Sequence, residues 1–318
     1  MQKATVVIPN LNGMAYLEGC LSSLRRQTTQ DFETILIDNG STDGSVEYVK
    51  QHFPEVKIRS FSENTGFCRA VNEGIRLSDA PYVILLNNDT VCDKRFVEEL
   101  LLAMKKRPRC FSCAAKMVQL KNPKLLDGAG DYYCALGWAF ADGKGKPVES
   151  RKRERRIFAA CAGAAIYRRE LFAQIGLFDE KHFAYLEDMD VGYRARIFGY
   201  ENWYAPSAIV YHAGSATSGS AYNEFKVLHS SRNSIYLIYK NMPVLQMILN
   251  LPFLVCGYLI KTIFFAKKGF LKQYLTGLQN GIRMSKREDK VVFEMRHLKN
   301  YFRIQMELWW NMMRRIRN

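Results

Sequence analysis

The sequence lacks both glycine-rich loops by which many α/β proteins hold phosphates. After its first apolar run it reads "PNLNGMAYLEG" (9–19), which does not fit G-x-G-x-x-G, and no Walker A pattern occurs in the 318 residues. The opening "MQKATVVIPN" carries no apolar leader, and the eight cysteines are scattered, so neither export nor a disulfide framework is expected and the thiols read as cytosolic and reduced. One C-x-x-C occurs, Cys110 and Cys113, but no second pair follows at zinc-ribbon spacing. Buried thiols entering a strand are expected there instead of a metal site.

Acidic residues are also scarce, 31 against 46 Lys and Arg, leaving a formal charge of +15 that points to anionic partners: nucleic acid, an acidic membrane surface or phosphate-bearing substrates. From Lys261 to the C-terminus there are 14 Lys and Arg against 4 Asp and Glu, so a net of +10 sits in the last 58 residues. "RKRERR" at 151–156 reads as a solvated loop. An apolar content of 48% supplies a core for one large domain or two ordinary ones and excludes disorder for most of the chain.

The first 110 residues alternate two periods. Short apolar runs at 5–9, 33–38, 56–61 and 82–87 predict strands, and segments at 14–27, 43–53, 66–78 and 93–106 have helical spacing. Strand and helix in alternation imply right-handed crossovers and a mainly parallel sheet covered on both faces. Ligands of such sheets gather at the strands' carboxyl ends, where polar residues stand: Asn10 and Asn12, Asp38 to Ser41, Glu63 and Asn64, Asn87 to Asp89. Singly these are turn and N-cap chemistry; four convergent sets favour a ligand. Asp89 ends the buried run "VILLNND" with Asn88 and Thr90 beside it, an oxygen-rich set suited to Mg²⁺ or Mn²⁺ bridging to a diphosphate.

Between 110 and 215 the pattern is mixed: strand-like 111–120, a Gly-rich 127–140, an apolar 157–172. Glu187, Asp188 and Asp190 then open a helix that runs to Phe198 and stops at Gly199. Acids suit a helix start, but the dipole does not require three. Residues 242–260 carry no charge over 19 positions, interrupted by Pro243, Gln246, Asn250 and Pro252. Helices lying in a membrane interface are expected, the alternative being a single span. Val291, Met295, Leu298, Phe302, Met306, Trp309, Met313 and Ile316 recur at steps of three and four. That stripe reads as a packing face on the core or a partner, or as a face for an anionic bilayer.

The ordered motifs "VVIPNLNG" (6–13), "LIDNGSTDGS" (36–45), "ENTGFCRAVNEGI" (63–75), "LLNNDT" (85–90) and "FDEKHFAYLEDMDVGYRARIFGY" (178–200) resemble the inverting family 2 glycosyltransferases of GT-A fold, and within them the bacterial rhamnosyltransferase-like branch. The resemblance spans about residues 3 to 240. It implies a GT-A catalytic domain at 1–235, with a nucleotide-binding half (1–110) and an acceptor-binding half (111–235); the apolar and basic composition of 236–318 reads as a helical, membrane-associating region beyond it. It implies that Pro9, Asn10, Asp38, Asn64, Gly66 and Asn88 hold the nucleotide, and that Asp89 and His212 ligate Mg²⁺ or Mn²⁺. His212 read alone is a structural histidine. Asp188, with Glu187 second, stands where the family carries its general base; Asp190 reads as a helix-start or Arg-pairing residue, and Asp179 as ordering the acceptor loop. Asn87 and Asn88 depart from the family's D-x-D type motif and leave one carboxylate.

The reaction this implies is transfer of a sugar, L-rhamnose from dTDP-rhamnose or a hexose from a UDP-sugar, to a polyprenyl-diphosphate-linked glycan precursor by an enzyme peripheral at the cytoplasmic face of the membrane. Two rivals remain from other classes: a basic nucleic-acid-binding protein, which predicts basic and aromatic residues interleaved on the sheet domain, and an inactive scaffold that keeps the fold.

Overall fold

The computed structural model describes residues 2–214 and 222–317. Among these the strands are β1 (Ala4–Asn10), β2 (Phe32–Asp38), β3 (Lys57–Ser60), β4 (Tyr82–Leu86), β5 (Thr90–Cys92), β6 (Cys110–Gln119), β7 (Asn122–Gly128), β8 (Asp131–Cys134), β9 (Trp138–Ala141), β10 (Arg155–Ile157), β11 (Ala164–Arg168) and β12 (Glu201–His212). The helices are α1 (Met14–Arg25), α2 (Ser45–His52), α3 (Phe67–Leu77), α4 (Phe96–Lys105), α5 (Phe172–Ile175), α6 (Glu187–Ile197), α7 (Glu224–Asn241), α8 (Val244–Lys267), α9 (Leu271–Met284) and α10 (Leu298–Arg317).

One ten-stranded sheet runs in the order β10-β12-β6-β11-β4-β1-β2-β3, with β5 on β12 and β7 on β6, while β8 and β9 form a separate hairpin. From β3 to β4 every pairing is parallel, as the alternating periods require. β11 enters antiparallel between β4 and β6, and β12 runs parallel to β6. This is the GT-A arrangement expected from the sequence. The inner strands β1, β2, β4, β6 and β11 are buried on both faces because helices cover both, while the edge strand β3 is mostly exposed. On one, α1 presents Leu17, Cys20, Leu21 and Leu24 at steps of three and four to Ile8, Leu36 and Leu86. On the other, α3 lies so close to β1 that a Cβ on Gly74 would fall 2.2 Å from Val7.

Cys110 and Cys113 lie buried at the start of β6 with free sulfurs 3.5 Å apart, as expected. The basic 151–156 segment is not simply solvated. Arg151 and Arg155 converge on the Asp142 carboxylate, and Arg155 stacks over the Tyr204 ring at 4.4 Å, so β10 is pinned to β12 by charge as well as by its backbone.

The boundary expected at 235 falls inside α7, an unbroken 18-residue helix. In the C-terminal helices the stripe divides, with most of it outward, as a partner or bilayer face requires and a core face does not. α10 buries Tyr301, Ile304, Gln305, Leu308 and Asn311, whereas Met295, Leu298, Phe302, Met306, Met313 and Ile316 are exposed. Of the stripe, only Val291 and Trp309 among the described residues pack against the core, Trp309 donating to Asn250 at 3.1 Å. α8 is similarly inverted: Gln246 and Asn250 are buried, while Leu245, Ile248, Leu251, Val255 and Leu259 face outward. Its inner side is held by Tyr193 Oη donating to Gln246 (2.7 Å), by reciprocal Asn250–Gln305 amide bonds (2.8 Å), and by Trp138 Nε1 donating to the Gly257 carbonyl (3.2 Å). The helix lies along the catalytic core rather than standing away from it.

Candidate active site

The parallel register aligns the carboxyl ends of β1 and β2, with Asn10 opposite Asp38. Asn10 is 1% exposed, and its amide nitrogen donates to Asp38 Oδ1 (3.1 Å), Ser41 Oγ (3.1 Å) and Ser45 Oγ (3.0 Å). Its oxygen accepts from Asn88 Nδ2 at 2.8 Å. The two amides thus lock β1, the β2–α2 turn and the end of β4 together, with their mutual bond satisfied inside the protein. Gly13 is required beside them, because a Cβ there would lie 2.1 Å from Asn88 Nδ2 and 2.3 Å from Asn10 Oδ1. Pro9 is the residue before Asn10 on β1, opposite Ile37.

Asn39 joins the second and third strand ends. It donates to Asn64 Oδ1 (2.9 Å) and the Gly66 carbonyl (3.2 Å), and accepts from the Thr65 amide and hydroxyl (2.9 Å each). Gly66 has φ +90°, and a Cβ on it would strike the Phe183 ring at 2.6 Å. The loop carrying Asn64 therefore packs directly beneath the segment that leads to Glu187. Asn39 belongs to the polar set Asp38 to Ser41 expected at the end of β2, but it is not among the expected site residues.

Asp89 and His212 come from segments 123 positions apart in sequence and meet because β12 pairs antiparallel with β5, placing His212 opposite Thr90. His212 Nε2 lies 3.2 Å from Asp89 Oδ1, and Nδ1 lies 2.7 Å from Asp127 Oδ2. Burial alone would lower the His212 pKa, but the Asp127 and Asp89 carboxylates on either side outweigh it and push the imidazole up to about 9. Asp127 is held down to about 2, where His212 and Lys144 outweigh its burial. This donor set fits a divalent cation that displaces the Nε2 proton and takes its place between His212 and Asp89. Adjacent donors on a six-coordinate ion sit about 3 Å apart, and a carboxylate on the far nitrogen fixes the tautomer of a metal-ligating histidine. Asp127 is missing from the expected site residues. It sits in the Gly-rich stretch on β7, 85 residues from His212, and no local pattern betrays it.

The third cluster opens α6. Three non-glycine residues with left-handed backbone precede it: Phe183 (φ 62°), Tyr185 (φ 72°) and Leu186 (φ 65°). Strain of this kind survives only where neighbours enforce it. Here Asn233 Nδ2, on α7, donates to the carbonyls of His182, Ala184 and Tyr185 at 2.9, 2.8 and 2.7 Å. Asp188 is half-buried, its Oδ1 accepting the Met189 amide at 2.7 Å. Burial raises its pKa; burial and the Asp188 charge raise that of Glu187, which is buried with Oε2 unpartnered. The Asp131 carboxyl and Cys161 thiol lie within 4.8 Å of the Asp188 carboxyl.

Asp190 is fully buried and accepts from Arg194 (2.8 Å), Lys240 (3.1 Å) and Asn241 (2.8 Å), so it is the arginine-pairing residue expected. Asp179 accepts from Tyr236 Oη (2.7 Å) and Lys240 Nζ (2.6 Å), tying the segment before the cluster to α7.

The chain matches the sequence profile described as Glycosyl transferase family 2 over residues 5–176. It is 28% identical over 247 residues, 70% of this chain and 80% of the other, to an N-acetylglucosaminyl-diphospho-decaprenol L-rhamnosyltransferase of Mycobacterium tuberculosis. A validoxylamine A glucosyltransferase of Streptomyces hygroscopicus is 36% identical over 104 residues, 31% of this chain and 25% of that protein. Among solved structures, Staphylococcus aureus TarS 1–349 in complex with UDP-GlcNAc superposes with a TM-score of 0.61 at 17% identity, covering 91% of this chain and 83% of that one. GalNAc-T7 with UDP, GalNAc and Mn²⁺ gives 0.60 at 18% identity over 75% of this chain, which spans about half (48%) of that protein's length. With the profile covering more than half of its residues and the fold shared with sugar transferases, the chain belongs to glycosyl transferase family 2.

Proposed function

We propose that the protein is an inverting, metal-dependent glycosyltransferase that moves L-rhamnose from dTDP-rhamnose to a polyprenyl-diphosphate-linked glycan precursor at the cytoplasmic face of the membrane. The observation that carries the chemistry is the convergence of Asp89, His212 and Asp127 from three distant segments, with a half-buried Asp188 whose pKa is raised.

In the reaction, Asp188 accepts the proton of the acceptor hydroxyl as its oxygen bonds to the anomeric carbon. The bond from that carbon to the nucleoside diphosphate breaks on the opposite face, so configuration inverts. Asp38, Asn64 and Gly66, with Pro9 and the locked Asn10–Asn88 pair, shape the nucleotide pocket at the strand ends. Asp89 and His212 would hold Mg²⁺ or Mn²⁺, which when bound would supply charge neutralisation for the leaving diphosphate. Glu187, buried and with its pKa raised, is the second candidate base.

The rhamnosyl donor and lipid-linked acceptor are supported by the M. tuberculosis relative. A second reading is a UDP-hexose donor, of which the glucosyltransferase relative supports the hexose. Calorimetry of dTDP, UDP, GDP and ADP, with and without Mn²⁺, on wild type and Asp89→Ala separates them. Metal-dependent binding of dTDP or UDP, lost in the variant, is the expected result. Binding of none of the four would overturn the enzyme reading and favour a scaffold.

A further inference from the structure

Between α7 and α8 runs an open groove of about 460 Å³, within the size range of small-ligand sites and lined almost wholly by apolar groups. Ile235, Ile238 and Tyr239 of α7 form one wall, and Leu251, Val255 and Leu259 of α8 the other. The last three are 50–58% exposed, so the groove is continuous with the outward apolar side of α8. Its floor is closed by the turn of the β8–β9 hairpin: a Cβ on Gly137 would come within 3.1 Å of Leu254 and 3.4 Å of Ile238.

Two structural members lie between this groove and the base, each touching both. α7 lines it with Ile235, Ile238 and Tyr239, while Asn233 grips the strained loop before Glu187, and Lys240 and Asn241 hold Asp190. The hairpin whose turn forms the floor begins at Asp131, whose carboxyl lies within 4.8 Å of that of Asp188. A cation stands at the rim: Lys290 Nζ lies 5.2 Å from the Tyr239 ring centroid, on a segment tied to the end of α7 by the Val291 amide donating to the Lys240 carbonyl.

We propose that this groove is the subsite for the isoprenoid chain of the acceptor lipid, with Lys290 serving its diphosphate. The inference rests on the lipid-linked acceptor reading above and adds where that lipid sits. An apolar channel open to an apolar surface suits a hydrocarbon chain, and the rim cation suits the anionic group at the end of that chain.

The test is binding of farnesyl diphosphate to the full chain by calorimetry, for wild type, Leu251→Trp, Val255→Trp and Lys290→Ala, with farnesol, phosphatidylglycerol vesicles and dTDP or UDP as parallel ligands. Leu251 and Val255 are exposed, so tryptophan there fills the groove without entering the core, and melting curves check that each variant folds. Wild type should bind farnesyl diphosphate, each tryptophan variant should bind it at least tenfold more weakly, and Lys290→Ala should weaken farnesyl diphosphate but not farnesol. Absence of wild-type binding, or unchanged binding in both tryptophan variants, overturns the proposal. So does loss of vesicle binding alone, which assigns the groove to bilayer lipid, or a change of oligomeric state, which assigns it to a second copy. Nucleotide binding is read separately: if it is absent while farnesyl diphosphate responds as expected, the transferase reading fails and the lipid groove stands.

Discussion

Asp188 and Glu187 are neighbours in sequence with unlike surroundings. Glu187 is buried with one oxygen unpartnered, so at neutral pH its proton stays on, whereas Asp188 is half-buried and reaches solvent. Burial raises the Asp188 pKa from 3.8 to about 6. A base works only when deprotonated, so kcat should be level above that value and fall tenfold per unit as pH drops below about 6, not below 4. Asp188→Asn should lower kcat by roughly 10²–10⁴ with nucleotide binding unchanged. If Asp188→Asn keeps wild-type turnover and Glu187→Gln does not, the roles are reversed. Asp127 acts through His212. Asp127→Asn should weaken Mn²⁺ binding in the presence of nucleotide by about 10–100-fold, read by electron paramagnetic resonance. Unchanged Mn²⁺ affinity would reduce Asp127 to a partner of Lys144.

At the scale of elements, the parallel half was legible because each of its parts is local. The runs at 5–9, 33–38 and 82–87 carry their period within one strand, and each polar strand end follows directly in sequence. What was hidden depends on pairings across long stretches of chain: Asp127 reaches His212 only through the sheet, and Asn233 reaches the loop before α6 only because α7 packs there. Three backbone carbonyls accept from that one buried amide. Asn233→Ala should take this donor from all three, leaving the His182 carbonyl to Arg232 and the Ala184 amide, and cost about 1–3 kcal/mol in stability. The left-handed residues Phe183, Tyr185 and Leu186 lose their restraint, so amide exchange over 182–187 should accelerate ahead of global unfolding and the KM for acceptor should rise more than that for donor. Equal protection of that loop in variant and wild type would show that Arg232 and the Phe183 contacts suffice.

For the whole molecule, the sequence showed that the C-terminal third is apolar and basic but not which face does what. Periodicity in α10 marks a stripe, and two sides of the helix satisfy it: the core took Tyr301, Ile304 and Leu308, leaving Phe302, Met306 and Met313 in the open. α8 turns two polar groups inward beside Leu254 and Phe265, where Gln246 meets Tyr193 and Asn250 meets Gln305 and Trp309. A surface helix in water would reverse that arrangement, whereas one in an interface gains from it. Fully burying an exposed leucine or isoleucine contributes about 1.5–3 kcal/mol, and a basic residue near an anionic surface about 1 kcal/mol. Leu245→Glu combined with Ile248→Glu should therefore weaken binding to phosphatidylglycerol vesicles by at least tenfold while nucleotide binding stays unchanged. Raising salt should weaken wild-type binding only in part, because the apolar contribution is not screened. A nucleic-acid binder predicts the reverse pattern: DNA affinity above vesicle affinity at moderate salt, indifference to the α8 substitutions, and steep loss with added salt.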